Sequence, residues 1–505
     1  MTLTERTQGK MQGPGKTGLG TDDESIHADS VGYLAAKIVP AISGLLAILV
    51  LTRTLEPGLY ARYSVLLTAC LLGSYLAGAW LCQAVLYYYP TNKPPAAPAF
   101  EHFALKLQLQ VLAAGVLAYG VAIFLVLHDR TIALLSTIQF SFFILNNLFQ
   151  AFAQSERRVR VQVVAVIVQS SVHLVALVGA LRWLGGNAVA AIALIGVAQG
   201  AGLLVLLFDC AGRRPAGGPP EEEPGRGARE LMVFGMPLSI WFLAYQFTLF
   251  GDRFVLGRSG RLAELGSYAA WRDLATGLTG FLTMPLLMAA HPAILMMWKK
   301  GRNRDEIEPV IKANGEIILT MFCPIIALAF LSGPLLLPWA LGSAFRSSTF
   351  VLVATLLTLL ISALNMYNHK GMELLALTGR MAGLAVGLAV TSLGLNLLVA
   401  PAYGASGTVA VSLAVQIVYA FASAYLGRDA ISAKLDLALL LRSTGWTIAF
   451  CGVGVLADAY LPASFHGPAQ VIVSAILVLA LAGVLIVRSS ATSRYIRRLI
   501  VFRRP

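Results

Sequence analysis

The sequence predicts an all-α integral membrane protein with about 14 transmembrane helices. Of its 505 residues, 57% are hydrophobic and only 12% are charged, whereas a soluble domain carries about 25% charged residues. Apolar runs long enough to cross a hydrocarbon core of about 30 Å recur along the chain. The runs lack the alternation of a transmembrane barrel strand, so helices are the structure that satisfies their backbone in lipid.

The predicted spans cover most of the chain. The first 30 residues are polar and glycine-rich, so we expect no cleavable signal peptide and expect the first span to direct insertion. The spans lie at approximately 32–52, 63–88, 103–127, 131–153, 160–181, 187–208, 231–256, 267–297, 314–340, 348–377, 380–400, 405–427, 439–460 and 467–487.

The distribution of basic residues predicts the orientation. If the N-terminus is cytoplasmic, the inside segments hold most Lys and Arg, including Arg213, Arg214, Lys299 and Lys300. The outside segments hold far fewer, so the positive-inside rule places both termini in the cytoplasm. The net charge of +13 therefore reflects topology, and we expect no nucleic-acid partner. The five cysteines show no metal-site spacing, so we expect neither a metal nor a cofactor.

An internal repeat divides the spans into two six-helix lobes. Val39-Pro40, Arg53 and Gly58-Leu-Tyr60 match Met236-Pro237, Arg253 and Gly266-Ser-Tyr268 in order. Such repeats in parallel orientation are typical of transporters with a site between the halves. We expect a polar tail at 1–30, lobes at 31–208 and 231–430, a linker at 209–230, two further helices at 431–488 and a basic tail at 489–505.

Three segments resemble a known family. They are Lys37-Ile-Val-Pro-Ala-Ile-Ser-Gly with Leu51-Thr-Arg-Thr-Leu-Glu-Pro-Gly-Leu-Tyr60, Asp252-Arg-Phe-Val-Leu-Gly with Leu265-Gly-Ser-Tyr268, and Tyr403-Gly-Ala-Ser-Gly407. These segments are similar to segments of polysaccharide-transport proteins. Such proteins are the lipid-linked oligosaccharide and O-antigen flippases of the multidrug/oligosaccharidyl-lipid/polysaccharide exporter superfamily. The resemblance covers roughly residues 31–430.

The resemblance implies a function in the bacterial inner membrane. Such a protein is an alternating-access flippase and not an enzyme. It moves an undecaprenyl-diphosphate-linked oligosaccharide from the cytoplasmic to the periplasmic leaflet for O-antigen, capsule or exopolysaccharide synthesis. The implied partners are the polyprenyl-diphosphate-linked glycan, membrane lipids, and the polysaccharide polymerase and export machinery.

Intramembrane cations are the candidate contacts for a pyrophosphate, because a buried anion needs charge partners. Lys37 and Lys370 lie in the cytoplasmic halves of their spans, and Arg253 and Arg272 lie nearer the periplasm. We hypothesise that the first pair receives the pyrophosphate and the second pair holds it facing out. Neutral polar positions at helical spacing extend the candidate cavity: Asn146, Gln150, Gln246, Thr276 and Asn365.

Proton or cation coupling has four candidate carriers, Asp252, Asp273, His369 and Glu373. Asp252–Arg253 and Arg272–Asp273 are adjacent in sequence, so these pairs do not face each other on one helix. The same residues also have purely structural explanations: cations that snorkel to the interface, a Lys370–Glu373 ion pair, and hydrogen bonds between helices without substrate.

Three other functions remain open at the level of sequence. Two are a peptidoglycan-precursor flippase and a multidrug exporter of the same superfamily. The third is a membrane glycan polymerase or ligase, which would need a sizeable periplasmic segment for its catalytic groups. The predicted outside connections are short.

Overall fold

The computed structural model describes residues 21–89, 97–156, 158–184, 188–212, 227–301, 304–431, 437–460 and 468–489. Within these ranges the chain forms 12 helices long and apolar enough to span a membrane. One of them, Thr378–Leu426, consists of two arms bent at Gly404. The apolar part of the first helix, Ile38–Thr54, adds a further span. The described helices therefore confirm the prediction of about 14 crossings.

We number the helices α1 to α14 so that each carries the number of its predicted span. They are Thr21–Thr54, Pro57–Tyr88, Ala97–Leu127, Arg130–Ser155, Val159–Leu184, Ala188–Ala211, Ala228–Phe250, Leu262–Lys299, Arg304–Leu341, Thr349–Asn368, the arms 378–403 and 405–426, Leu437–Tyr460 and Pro468–Arg488. We call α1–α6 the N-terminal set and α7–α12 the C-terminal set.

Local sequence explains where several helices begin and bend. Pro57 starts α2, where its missing N–H costs nothing. Asp129 accepts hydrogen bonds from the Thr131 and Ile132 amides and so caps α4. Gly404 adopts a φ of 58°, a conformation that favours glycine, and there the chain turns from α11 into α12.

Neighbouring helices contact each other through their termini at two opposite ends of the bundle. At one, which we call the outer end, a Cβ on Gly266 would overlap the carbonyl oxygen of Pro57. At the inner end, Tyr89 lies 2.6 Å from both Glu101 and Glu156. The basic-residue pattern predicts that the inner end faces the cytoplasm.

Helix packing brings the two sets together mainly along α2. In the N-terminal set, α1 packs on α5, and α6 packs on α4 and α5. The carboxyl-terminal part of α2 lies against α7 and its amino-terminal part against α8, and α1 also contacts α8. Helices α13 and α14 pack on α9. Their outward faces are apolar, with Ile448 and Leu479 largely exposed, as lipid contact requires.

Candidate functional site

A break after α7 turns two charged residues into the interior at the outer end. Helix α7 ends at Phe250, and a short helix, Asp252–Arg258, follows at once. Gly251 allows the break because a Cβ there would crowd the Phe247 ring and carbonyl. Asp252 and Arg253 are both only 3% exposed. Sequence analysis placed Arg253 within the seventh span, and the structure places it on this separate turn.

The buried charges pair crosswise between this turn and α8. Arg253 Nη2 lies 2.5 Å from Asp273 Oδ1, and Arg272 Nη1 lies 3.0 Å from Asp252 Oδ2. Each arginine therefore pairs with the aspartate that is adjacent to the other arginine in sequence. The crossing compensates all four charges, and it matters most for Asp252, Arg253 and Arg272, which are almost fully buried and would be costly to leave unpaired.

Both pairs belong to the C-terminal set, and the hydrogen bonds of the Arg272–Asp252 pair also stay within that set. The Tyr268 hydroxyl donates to Asp252 Oδ2 at 2.5 Å, and the Ser412 hydroxyl lies 3.4 Å from the same oxygen. Arg272 also donates to the Tyr268 hydroxyl. The Arg272 side chain is fully buried. This pair thus joins α8, the short helix and α12.

The other pair contacts the N-terminal set. Arg253 Nη1 donates to Ser64 at 2.5 Å and lies 3.3 Å from Thr68. The Tyr60 hydroxyl donates to Asp273 Oδ2 at 3.0 Å. All three α2 residues are neutral and almost fully buried. The Arg253–Asp273 pair therefore lies at the boundary between the sets.

Both guanidinium groups also lie against one aromatic ring. The Phe250 ring centroid is 4.9 Å from Arg253 Cζ and 5.6 Å from Arg272 Cζ, so each makes a cation–π contact. Arg253 Nε, Arg272 Nε and Arg272 Nη2 donate to no group among the described residues. Buried N–H groups of this kind are suited to water or an anion.

A second cluster of charge lies at the inner end. Lys370 Nζ is 2.5 Å from His291 Nδ1 and 2.5 Å from Glu373 Oε2. Lys370 and Glu373 belong to a short helix, Lys370–Leu374, that follows α10. The Lys370–Glu373 ion pair weighed at the level of sequence is present. His369 lies edge-on to Trp241, with ring centroids 5.2 Å apart, and is buried.

Several predicted polar positions form hydrogen bonds between helices. Asn365 of α10 donates to the Gln416 side chain of α12 at 3.0 Å. Asn146 of α4 donates to Gln169 of α5 at 3.3 Å. Each of these contacts lies inside a single set and matches the alternative of hydrogen bonds between helices without substrate.

The remaining predicted positions differ in the contacts that their side chains and backbone make. The Gln150 carbonyl accepts from Gln162 within the N-terminal set. Gln246 of α7 lies near Tyr75 of α2, across the boundary between the sets. The Thr276 hydroxyl is buried, and no described residue accepts or donates to it. The side chain of Lys37 lies outside the described part of the structure.

Sequence reasoning missed the hydroxyl groups that complete the outer cluster. Tyr60 and Tyr268 attracted attention only as repeat landmarks, yet each donates to an aspartate of the two ion pairs. Ser64 and Thr68 lie four and eight residues after Tyr60 on the same face of α2. A tyrosine at the same place in both repeats was the one signal of a shared role.

Comparison with known families decides where the chain belongs. The model of a family described as polysaccharide biosynthesis protein matches residues 28–298, more than half of the chain. The chain belongs to this family. The match runs from α1 through α8, so the crossed ion pairs lie within the region that the family model covers. A search of curated proteins found no match.

Several solved structures share the fold of this chain. A lipid II flippase MurJ in an inward closed conformation superposes with a TM-score of 0.68 at 10% identity, covering 90% of this chain and 98% of that one. An inward-facing multidrug resistance MATE transporter of the MOP superfamily gives 0.59 at 14% identity, covering 77% and 94%. A Vibrio cholerae MATE transporter gives 0.51 at 14% identity, covering 81% and 96%.

The fold, the family and the apolar helices together describe a multi-pass membrane protein with a transporter architecture.

Proposed function

We propose that the protein is an alternating-access flippase for an undecaprenyl-diphosphate-linked oligosaccharide in the bacterial inner membrane, with both termini cytoplasmic. It would carry the glycan from the cytoplasmic to the periplasmic leaflet for O-antigen, capsule or exopolysaccharide synthesis, and a polymerase or export complex would use the product. Family membership supports the polysaccharide pathway, and the fold supports transport. The division into lobes at 31–208 and 231–430, with the linker at 209–230, belongs to the same proposal.

The observation that carries the proposal is the buried arginine at the boundary between the sets. Arg253 contacts both sets and keeps an unpartnered Nε–H among the described groups. When α2 and the C-terminal set separate, this guanidinium faces the opening, where it can bind a pyrophosphate oxygen. Arg272 has no such access, since it is enclosed with Asp252 and Tyr268. We assign Arg253 the substrate contact and Arg272 a positioning role.

The inner cluster fits the receiving side of the same path. Lys370 provides the cation, and Glu373 and His291 hold it in place. We keep Lys37 as its predicted companion. Asp252 and Asp273 serve first as counter-ions for the arginines, and His369 and Glu373 remain the candidate coupling groups.

An apolar groove offers a place for the polyprenyl tail. It has a volume of about 900 Å³ and lies between α9, α10, α12 and α13. Its lining is almost entirely hydrocarbon, including Phe330, Leu357 and Leu456. A long isoprenoid chain buries such surface favourably.

The groove predicts the effect of one bulky substitution. Gly452 lines the groove and has open space around its Cβ position. We expect Gly452→Phe to fill it and lower glycan export several-fold. Gly445→Phe, also on α13 with open space but outside the groove, is the matched control. Equal export by the two variants would remove the groove from the mechanism.

Deletion of the gene tests the function as a whole. The deletion strain is expected to accumulate lipid-linked oligosaccharide on the cytoplasmic face, measured by extraction and by protection from an externally added glycosidase. Complementation with Arg253→Ala is expected to restore export at a level roughly ten- to a hundredfold lower than wild type, since a charged hydrogen bond is lost. Accumulation of a peptidoglycan precursor instead, or a changed drug sensitivity with normal glycan, would contradict the proposal and favour the other functions.

A further inference from the structure

The outer cluster separates into contacts within one set and contacts between the sets. Both ion pairs lie within the C-terminal set. The contacts between the sets are made by Tyr60, Ser64 and Thr68 of α2, which reach Asp273 and Arg253. The N-terminal set therefore contributes hydroxyl groups to this cluster, and the C-terminal set contributes the charges.

We propose that these three hydroxyl groups are the releasable half of an outer gate, which opens without separating an ion pair. The inference rests on the proposed alternating access. Moving α2 away breaks hydrogen bonds between neutral and charged groups, and incoming water replaces them. Both guanidinium groups keep their carboxylates during this movement. Separating a buried ion pair would instead leave two uncompensated charges.

The surrounding packing shows that the gate is closed in this structure. Tyr60 is fully buried and packs edge-on to Phe345, with ring centroids 5.9 Å apart. The backbone of α8 at Gly266 contacts the Pro57 carbonyl directly. Leu45 of α1 lies against Gly277 of α8 further into the bundle. In this packing Arg253 is almost fully buried, so water reaches its guanidinium group freely only when these helices part.

The internal repeat supplies a matched control for the gate. Tyr60 and Tyr268 occupy equivalent places, and each donates its hydroxyl to an aspartate of the outer cluster. The Tyr60 bond joins the two sets, whereas the Tyr268 bond stays within the C-terminal set. Phenylalanine at either place removes the same chemical group. The gate proposal requires that only the Tyr60 substitution alters the equilibrium between closed and open states.

Spin-label distances in lipid nanodiscs test this requirement. The labels are attached at Arg62→Cys on α2 and Arg258→Cys at the outer end of the C-terminal set, both exposed. The native cysteines are replaced by alanine: Cys70, Cys82, Cys210, Cys323 and Cys451. We expect Tyr60→Phe to raise the ratio of long to short distances roughly tenfold. Tyr268→Phe should leave the ratio unchanged.

Two further comparisons make the test decisive. Addition of Ser64→Ala and Thr68→Ala to Tyr60→Phe is expected to increase the long-distance population further. If a tyrosine variant does not elute as a single species, two serine variants replace it. Ser64→Ala removes a hydroxyl that contacts Arg253 across the boundary, and Ser412→Ala, the control, removes one that contacts Asp252 within the C-terminal set. An unchanged distance distribution in the triple variant would overturn the proposal, as would an equal shift in Tyr268→Phe.

The distance measurement needs no substrate, so it separates the gate from the proposed function. If Tyr60→Phe shifts the distances but deletion of the gene leaves the lipid-linked glycan unchanged, the gate stands and the flippase assignment is wrong. If the deletion strain accumulates the lipid-linked glycan but Tyr60→Phe leaves the distances unchanged, the flippase assignment stands and the gate is wrong.

Discussion

Arg53 and Arg253 occupy matching places in the two repeats, yet their surroundings differ. Arg53 is exposed at the outer end of α1, whereas Arg253 is 3% exposed and paired with Asp273. The residue before each differs as well. Thr52 bonds to the Ile48 carbonyl of its own helix at 2.9 Å, and Asp252 pairs with Arg272 of another helix. A hydroxyl is satisfied locally, but a buried carboxylate needs a distant cation.

The same difference continues into the next helix of each repeat. The fourth residue after Tyr60 is Ser64, and the fourth after Tyr268 is Arg272. At two matched pairs of positions, 52 with 252 and 64 with 272, the first repeat thus carries a neutral group where the second carries a charge. Two surfaces that both held unpaired arginines would repel each other at closure, whereas hydroxyl groups can donate or accept as the partner requires. The asymmetry suits the closing and reopening that the proposed alternating access requires of this boundary.

The largest effect expected from this comparison is the loss of a buried counter-ion. Asp252→Ala leaves the fully buried Arg272 without its carboxylate and should lower the free energy of unfolding by about 3–5 kcal/mol. Thr52→Ala, the equivalent change in the first repeat, should cost about 1 kcal/mol or less, because its hydroxyl bonds only within its own helix. Reversible unfolding in mixed detergent micelles measures both. Similar losses would show that the repeats do not differ as described.

A smaller effect is expected where the backbones of α2 and α8 touch. Gly266→Ala adds a methyl group that overlaps the Pro57 carbonyl and should cost about 1–3 kcal/mol while forcing the outer end apart. Gly58→Ala is the equivalent change in the first repeat, and nothing lies within 4 Å of its Cβ position. Thermal unfolding and the spin-label distance report the two consequences. A closed outer end in Gly266→Ala would contradict the close contact.

The smallest effect concerns the turn between α11 and α12. Glu264 accepts the Ala405 amide at 2.7 Å, and Arg261 donates to the Pro401 carbonyl at 2.9 Å. Glu264→Ala should cost about 0.5–2 kcal/mol, as the loss of a helix cap does. Glu56, its counterpart two residues before Gly58, is exposed and makes no capping bond. Glu56→Ala should therefore change thermal stability by less than about 0.5 kcal/mol, and a larger change would weaken the comparison.

Much of the fold follows from sequence because lipid imposes a length and a composition on every span. The sequence also indicated that Asp252, Arg253, Arg272 and Asp273 lie within the membrane. It did not predict their partners. Neighbours in sequence point to different sides of a helix, so the sequence excluded the adjacent pairs and offered no others. The break at Gly251 and the break after Asn368 were also missed, since apolar residues resume within a few positions of the charged residues that follow each break.

The polar stripes show the same limit from another direction. Their spacing predicted faces turned away from lipid, and the structure places Asn365 and Asn146 in the interior. Whether such a face lines a cavity or binds a neighbouring helix depends on which helices pack together. Asn365 meets Gln416 because α10 packs against α12, 51 residues further along the chain. Periodicity describes one helix and contains no information about its neighbour.

Sequence by itself determined the membrane class, the approximate number of crossings, the repeat and the presence of intramembrane charge. Each of these depends on composition or on spacing along one segment. Tertiary structure alone decided that the charges pair crosswise, that all four belong to one repeat, and that the other repeat contacts them through Tyr60, Ser64 and Thr68. The physical reason is that a buried charge is stabilised by whichever group the fold brings within hydrogen-bond distance, and this distance is set by the packing of helices far apart in sequence.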